Sequence, residues 1–321
     1  MKAIVHSRYG SPDVLELEES EKPELADDLV LVRVRAASIN PADWYGVTGL
    51  LVARASTGFL KPKSGRTGID FAGTVEAVGK DVTHVQPGDE VFGARSGALA
   101  EYLTVRDAIV RKPGNITFEE AAAVPVAAIT ALQGLRDKGK LQAGQKVLIN
   151  GASGGVGTFA VQIAKALGAE VTGVCSTRNV ELVRSLGADN VVDYTAEDFT
   201  RSNRSYDLVL DVAGSRSWSE CRRVLNPHGK VVIVGAPKGS RVLGPLGHIV
   251  RLRVASLLRG SQKAVFFIAK TNRADLEVLR ELLEAAKVKP VVDRSYALAE
   301  TRDAFRYLGE GHARGKVVVT V

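Results

Sequence analysis

The sequence predicts an α/β protein, a doubly wound parallel sheet covered by helices and preceded by a β-rich domain. Three observations carry this reading. After residue 140, short and nearly all-apolar segments alternate with helical ones, the pattern of parallel strands buried on both faces. The first of these segments runs straight into a glycine-rich turn that opens an apolar-striped helix. The first ~120 residues carry instead β-branched runs in partial alternation, punctuated by turn formers.

In chain order, the β-rich part contains Leu29 to Val34, Gly73 to Val78 and Glu101 to Val105. Its turns fall at Gly10-Ser11-Pro12-Asp13, Gly79-Lys80-Asp81 and Pro87-Gly88-Asp89. An alanine-rich helix from Phe118 to Leu135 follows, with Pro125 marking a break or kink. The apolar strands are Lys146 to Asn150, Glu170 to Val174, Tyr206 to Val212 and Lys230 to Val234. Between the first two, Val156 to Leu167 places Val156, Phe159, Ala160, Ile163, Ala164 and Leu167 on one stripe, and Gly168 stands just past its end. A strand at Ala264 to Ile268, a charged amphipathic helix at Ala274 to Lys287 and a β segment at Gly315 to Val321 complete the chain.

Composition narrows the class. The 321 residues suit about two domains of ~100–200 residues each. Apolar residues make up 45% and charged residues 25%, which excludes a disordered tail, a collagen-like repeat and a disulfide scaffold. Cys175 and Cys221 are too few for a secreted framework or an all-cysteine zinc site. The longest apolar run, Ala121 to Leu132, is interrupted by Pro125 and Thr130 and is too short to span a membrane. The opening Met1-Lys2-Ala3-Ile4-Val5-His6 shows no signal-peptide pattern, so a cytoplasmic protein is expected. Lys and Arg number 43 against 36 Asp and Glu, a net +7 that favours anionic partners such as phosphorylated cofactors or nucleic acid. The acid-free basic stretch from Arg241 to Lys270 reads better as a solvated face than as a polyanion site.

The strongest motif is Gly151-Ala152-Ser153-Gly154-Gly155-Val156-Gly157. Glycines let the backbone approach a pyrophosphate, and the helix N-terminus offers it free N–H groups and a positive dipole end. The spacing is Gly151-x-x-Gly154-x-x-Gly157 with an added Gly155, a departure from G-x-G-x-x-G. Strand, turn, helix and second strand together indicate dinucleotide binding. The second strand ends in Cys175-Ser176-Thr177-Arg178, without the carboxylate that bonds a ribose 2′-hydroxyl in NAD sites. Two hydroxyls and a guanidinium suit a 2′-phosphate, so NADP(H) is the expected cofactor; a merely solvated Arg178 is the alternative.

These residues resemble the medium-chain dehydrogenase/reductase superfamily, in its zinc-independent quinone oxidoreductase (zeta-crystallin-like) branch. The likeness runs through Tyr9-Gly10-Ser11-Pro12-Asp13-Val14-Leu15, Ser38-Ile39-Asn40-Pro41-Ala42-Asp43-Trp44, Pro87-Gly88-Asp89-Glu90-Val91-Phe92-Gly93 and Leu186-Gly187-Ala188-Asp189. It implies a GroES-like β-rich catalytic domain over residues 1–122, completed by 268–321, and a Rossmann cofactor domain over 123–267. Zinc enzymes of the superfamily carry Cys where this chain has Asn40, and His where it has Ile69 in Gly68-Ile69-Asp70. No zinc is therefore expected.

Without a Lewis acid, charge developing on a carbonyl oxygen must be met by hydrogen bonds. This suits hydride transfer to quinones or α,β-unsaturated carbonyls such as enones and 2-alkenals. An NADPH-binding protein with an RNA-binding role and a zinc-free reductase of acyl or alcohol substrates are the alternatives. By resemblance, Asn40 contacts the substrate carbonyl or the nicotinamide, or else caps a loop. Asp43 orients its neighbours or moves protons, and Tyr45 supplies a proton, stacks on substrate or is a structural aromatic. Thr130 is placed beside the nicotinamide or else bonds its own helix backbone, and Tyr194 lies along the 2′-phosphate or is a surface tyrosine. Backbone at Val212, Ala213, Gly235 and Ala236 falls at the carboxyl edge of the sheet, where open α/β sheets hold ligands. Phe266 and Phe267 are cofactor-wall or core residues, and Arg314 is a further 2′-phosphate candidate or an exposed cation. Residues 237–262 are expected to form a mobile wall or lid of the substrate pocket, with an amphipathic membrane-surface contact as the lesser alternative. A homodimer is implied through the strand near Phe266, with a monomer open.

Overall fold

The computed structural model describes residues 1–63, 65–235 and 261–321. Ala236 and the expected lid, Ser261 and Gln262 apart, lie outside the described residues. Strands β1 to β7 are Lys2–Val5, Glu16–Glu19, Val30–Ile39, Asp70–Val78, Glu90–Ala94, Tyr102–Val105 and Ile109–Arg111. Strands β8 to β13 are Lys146–Asn150, Glu170–Cys175, Asn190–Asp193, Tyr206–Asp211, Leu225–Ile233 and Lys263–Phe266; β14 and β15 are Val292–Ala297 and Lys316–Thr320. Helices α1 to α5 are Pro41–Thr48, Leu51–Thr57, Phe118–Ala122, Pro125–Leu132 and Gly155–Ala166. Helices α6 to α9 are Val180–Ser185, Trp218–Arg223, Arg273–Glu284 and Thr301–Glu310.

Two compact units result. The first comprises Met1–Ile129, Thr271–Ala286 and Pro290–Val321; the second comprises Thr130–Lys270 and Lys287–Lys289. In the first, a seven-stranded sheet runs β14-β15-β3-β4-β5-β7, with β6 paired to β3. Alternation along β3 buries Val30, Val32 and Val34 while Arg33 and Arg35 face outward. From Ala36 to Ile39 that alternation ends and every residue is buried. The core gathers Phe71, Leu99, Ile109 and Phe305 around these strands.

The helical stretch expected from Phe118 to Leu135, with its break or kink at Pro125, is three elements. A capping box between Thr117 and Glu120 starts α3, Pro125 opens α4, and Gln133–Gly139 winds on as a π-helix. Proline lacks the N–H that a continuous helix needs, so the break falls there.

In the second unit all six strands are parallel, in the order β10-β9-β8-β11-β12-β13. The chain moves outward from β8 to β10, then crosses to β11 on the other side of β8. The carboxyl ends of β8 and β11 are therefore the switch point where such sheets hold ligands. Two buried glutamines hold later segments of the chain within this unit. Gln133 grips the peptide groups of Lys270, donating from Nε2 to its carbonyl (2.8 Å) and accepting from its N–H (3.1 Å). Gln162 holds Lys289 in the same manner, at 2.9 and 2.8 Å.

Candidate active site and cofactor cradle

Pro41 begins α1 at the position where a missing N–H costs nothing. Asp43, in the first turn, reaches back to accept from the Asn40 backbone N–H at 2.8 Å. Asn40 is thereby fixed beside a buried set of charges. Asp70 Oδ2 accepts from Ser38 Oγ (3.0 Å), Asn40 Nδ2 (2.9 Å) and Lys316 Nζ (3.4 Å). Its Oδ1 accepts from the Val126 N–H at 3.0 Å. Lys316 also donates to Asn40 Oδ1, and Asn40 Nδ2 lies 3.3 Å from Asp43 Oδ2. Ser38, Asn40, Asp43, Asp70 and Lys316 are all buried.

Two carboxylates thus share one ammonium. Burial, reinforced by the nearby Asp70 charge, pushes the Asp43 carboxyl up to about 7. The Asn40 amide is engaged at both ends within the cluster, as its hub. Tyr45, on the same helix, is half-buried with its ring edge-on to Trp44. Its hydroxyl bonds to no described residue, and burial raises its pKa.

In the second unit, β8 enters the glycine turn. The Gly151 and Ala152 N–H groups donate to the Val174 carbonyl of β9 (3.1 and 3.0 Å), folding the turn against that strand. Gly151 adopts φ +87°, open to glycine but strained for other residues. A Cβ on Gly157 would overlap the Gly151 carbonyl. Gly154 caps α5 without a side-chain bond, so the first-turn N–H groups of Gly155, Val156 and Gly157 have no intrahelical acceptor. At the switch point Asn150 Nδ2 donates to Asp211 Oδ1 (2.8 Å), which also accepts from the Gly214 N–H (2.8 Å). Val212 and Ala213 both donate to the Asn150 carbonyl, and Gly235 donates to the Asp211 carbonyl. The cradle fits a pyrophosphate: first-turn N–H groups without intrahelical acceptors, at the start of a helix.

At the end of β9, Cys175 is buried and its thiol is pushed up to about 11, chiefly by desolvation, so it stays protonated. Its carbonyl accepts from the N–H of Tyr194, whose ring is exposed. Thr195 Oγ1 donates to Asp193 Oδ1 (2.7 Å) and lies 2.8 Å from Thr177 Oγ1, so the Thr177 hydroxyl is engaged in this group. The Ser176 hydroxyl oxygen accepts from Asn179 and so keeps its proton, and the exposed Arg178 stands beside it at this strand end. Phe266 packs on the core of the second unit, and Phe267 lies against Gly134. Thr130 is half-buried on α4; Arg314 is exposed in the first unit, where its N–H donates to Asp293.

The chain resembles known proteins along nearly its whole length. The family described as alcohol dehydrogenase GroES-like domain matches residues 26–134, and zinc-binding dehydrogenase matches 186–319. It is 37% identical over 338 residues to "NADPH-dependent alkenal/one oxidoreductase, chloroplastic" of Arabidopsis thaliana, covering 99% of this chain and 79% of that protein. This chain belongs to the medium-chain dehydrogenase/reductase superfamily. It is similar also to "2-methylene-furan-3-one reductase" of Solanum lycopersicum, 36% identical with the same coverage. The Escherichia coli quinone oxidoreductase complexed with NADPH superposes with a TM-score of 0.83, at 26% identity and full coverage of both chains.

Within this medium-chain dehydrogenase/reductase fold, the sequence alone missed four residues that the structure brings into the candidate sites. Ser38, Asp70 and Lys316 join Asn40 and Asp43, and Asn179 joins Ser153 and Ser176. One signal was present: Lys316 is a lone charge heading the apolar run Val317-Val318-Val319. Among the described residues, no group of three or more His, Cys, Asp or Glu is placed to hold a metal.

Proposed function

We propose that this chain is a zinc-independent, NADPH-dependent reductase of quinones and α,β-unsaturated carbonyls. The observation that carries the cofactor is the carboxyl end of β9, where Ser176 and Arg178 stand and no carboxylate replaces them. The relatives named for alkenal/one and methylene-furanone reduction, and the quinone oxidoreductase crystallised with NADPH, support the same substrate class. We assign the pyrophosphate to Gly151, Ser153, Gly154, Gly155 and Val156, and the 2′-phosphate to Ser176, Arg178 and Tyr194.

When bound, the reduced nicotinamide supplies a hydride. The residues of the chain must then meet the negative charge that appears on the substrate oxygen. Tyr45 is the donor we assign: its raised pKa keeps it protonated at neutral pH, and no described residue claims its hydroxyl. Asn40 and Asp43 hold the start of its helix. Zinc independence follows from the donor set. Ile69 has no ligand atom, and the Lys316 ammonium already neutralises Asp70 beside Asn40, which disfavours a second cation there. Two free buried thiols suit a reducing compartment, and we assign the cytoplasm. Among the described residues β13 is paired on one side only, which suits a homodimer joined along that edge.

Loss of NADPH absorbance tests the activity, with 1,4-benzoquinone, 2-hexenal, a 2-enoyl thioester and a saturated aldehyde as substrates. Turnover of the first two is expected. Turnover confined to the saturated aldehyde, or tighter binding of NADH than of NADPH, would overturn the proposal.

A further inference from the structure

We infer that Asn179 is a positioning residue of the cofactor site, which ties the glycine turn to the end of β9 and sets the direction in which two serine hydroxyls donate. Asn179 occupies the N-cap of α6, the position at which asparagine normally bonds its own helix. It makes no such bond. Its Nδ2 instead donates to Ser153 Oγ at 3.0 Å and to Ser176 Oγ at 3.2 Å. The residue is 5% exposed, and its Oδ1 is buried with no partner among the described residues. An abandoned cap and an unsatisfied buried oxygen both cost stability, and such costs persist where a site demands them.

The bridge has a chemical consequence. A hydroxyl whose oxygen accepts from an amide keeps its proton for another acceptor. Ser153 and Ser176 are both in this state, one on the glycine turn and one at the strand end 26 residues from Asn179 and 3 residues from it respectively. Two pre-oriented donors on two neighbouring elements suit two anionic groups of one ligand, a pyrophosphate and a ribose 2′-phosphate. Asn179 touches neither; it acts through the serines. The inference rests on the placement of the dinucleotide proposed above.

A double-mutant cycle tests it, with NADPH and NADH titrated by nicotinamide fluorescence against the full chain, S176A, N179A and S176A/N179A. N179A is expected to weaken NADPH by about tenfold, the scale of a hydrogen bond to a charged group, and NADH by less. In the N179A background the further cost of S176A should shrink, because the serine is no longer oriented. Additive costs, unchanged NADPH affinity, or a lowered melting temperature with the NADPH-to-NADH ratio intact would each overturn the inference. N179S, too short to span both hydroxyls, gives the same reading should N179A fail to fold. Failure of the underlying proposal shows differently, as an unmutated protein that binds NADPH no better than NADH.

Discussion

Lys316 and Asp70 stand 246 residues apart in sequence and 3.4 Å apart in space, an ion pair whose side chains are 3% and 0% exposed. The ammonium also fixes the Asn40 amide, so one lysine at the head of the last strand organises the start of α1. In this position a charge is retained for geometry; removing either partner leaves the other buried and uncompensated.

Lys316→Met should therefore destabilise the protein by about 3–5 kcal/mol, whereas K316M combined with D70N should recover much of that loss. Urea denaturation of the two single variants and the double variant measures this. A double variant as damaged as the sum of the singles would show that the two charges do not compensate each other.

Asp43 gives stability a pH dependence. Its pKa rises from the model-peptide 3.8 to about 7 on folding. Between those values the folded protein holds a proton that the unfolded chain has released, so this group makes stability fall as pH rises. Asp43→Asn removes the titration. Melting temperatures taken from pH 5 to pH 8 should show the variant gaining on the unmutated protein as pH rises.

Cofactor choice should respond to Arg178. R178E places a carboxylate where a guanidinium stood, which repels a 2′-phosphate and can accept from a 2′-hydroxyl. NADPH affinity should fall by about tenfold or more while NADH holds or improves. Fluorescence titration of both coenzymes reads the ratio; an unchanged ratio would remove Arg178 from the site.

Gly157→Ala probes the cradle. Its Cβ would strike the Gly151 carbonyl, so the turn must open or α5 must shift. A destabilisation of about 1–3 kcal/mol is expected from such overpacking, with weakened NADPH binding. Isothermal calorimetry and thermal melting give the two numbers.

Tyr45→Phe removes one hydroxyl and little packing. If that hydroxyl meets the developing oxyanion, kcat should fall by about 10²-fold or more with NADPH affinity unchanged. Steady-state kinetics on 2-hexenal beside a cofactor titration separates the two effects.

Much of the fold is legible in the sequence because it rests on local signals. The apolar runs of β8, β9 and β11, the glycine turn and the α5 stripe fall within a residue of their expected positions. β12 is less so: it begins at Leu225, five residues before the expected Lys230, because it pairs with β11 across an irregular register that admits Pro227 and Gly229. The site is legible only in part. Lys316, Asp70 and Ser38 meet through sheet pairing over long separations, which no window of sequence spans. Asn179 looks like an ordinary helix cap until its side chain is seen turned the other way.

The glutamine grips at Lys270 and Lys289 bear on any dissection of this protein. Residues 130–270 expressed alone would lack Lys289, and the buried amide of Gln162 would lose an acceptor and a donor together. Each orphaned group costs about 1–3 kcal/mol, a large share of a small fragment's margin. The nucleotide-binding half is thus not a detachable cassette: its gene segment must carry the tripeptide Lys287-Val288-Lys289 from beyond its own end.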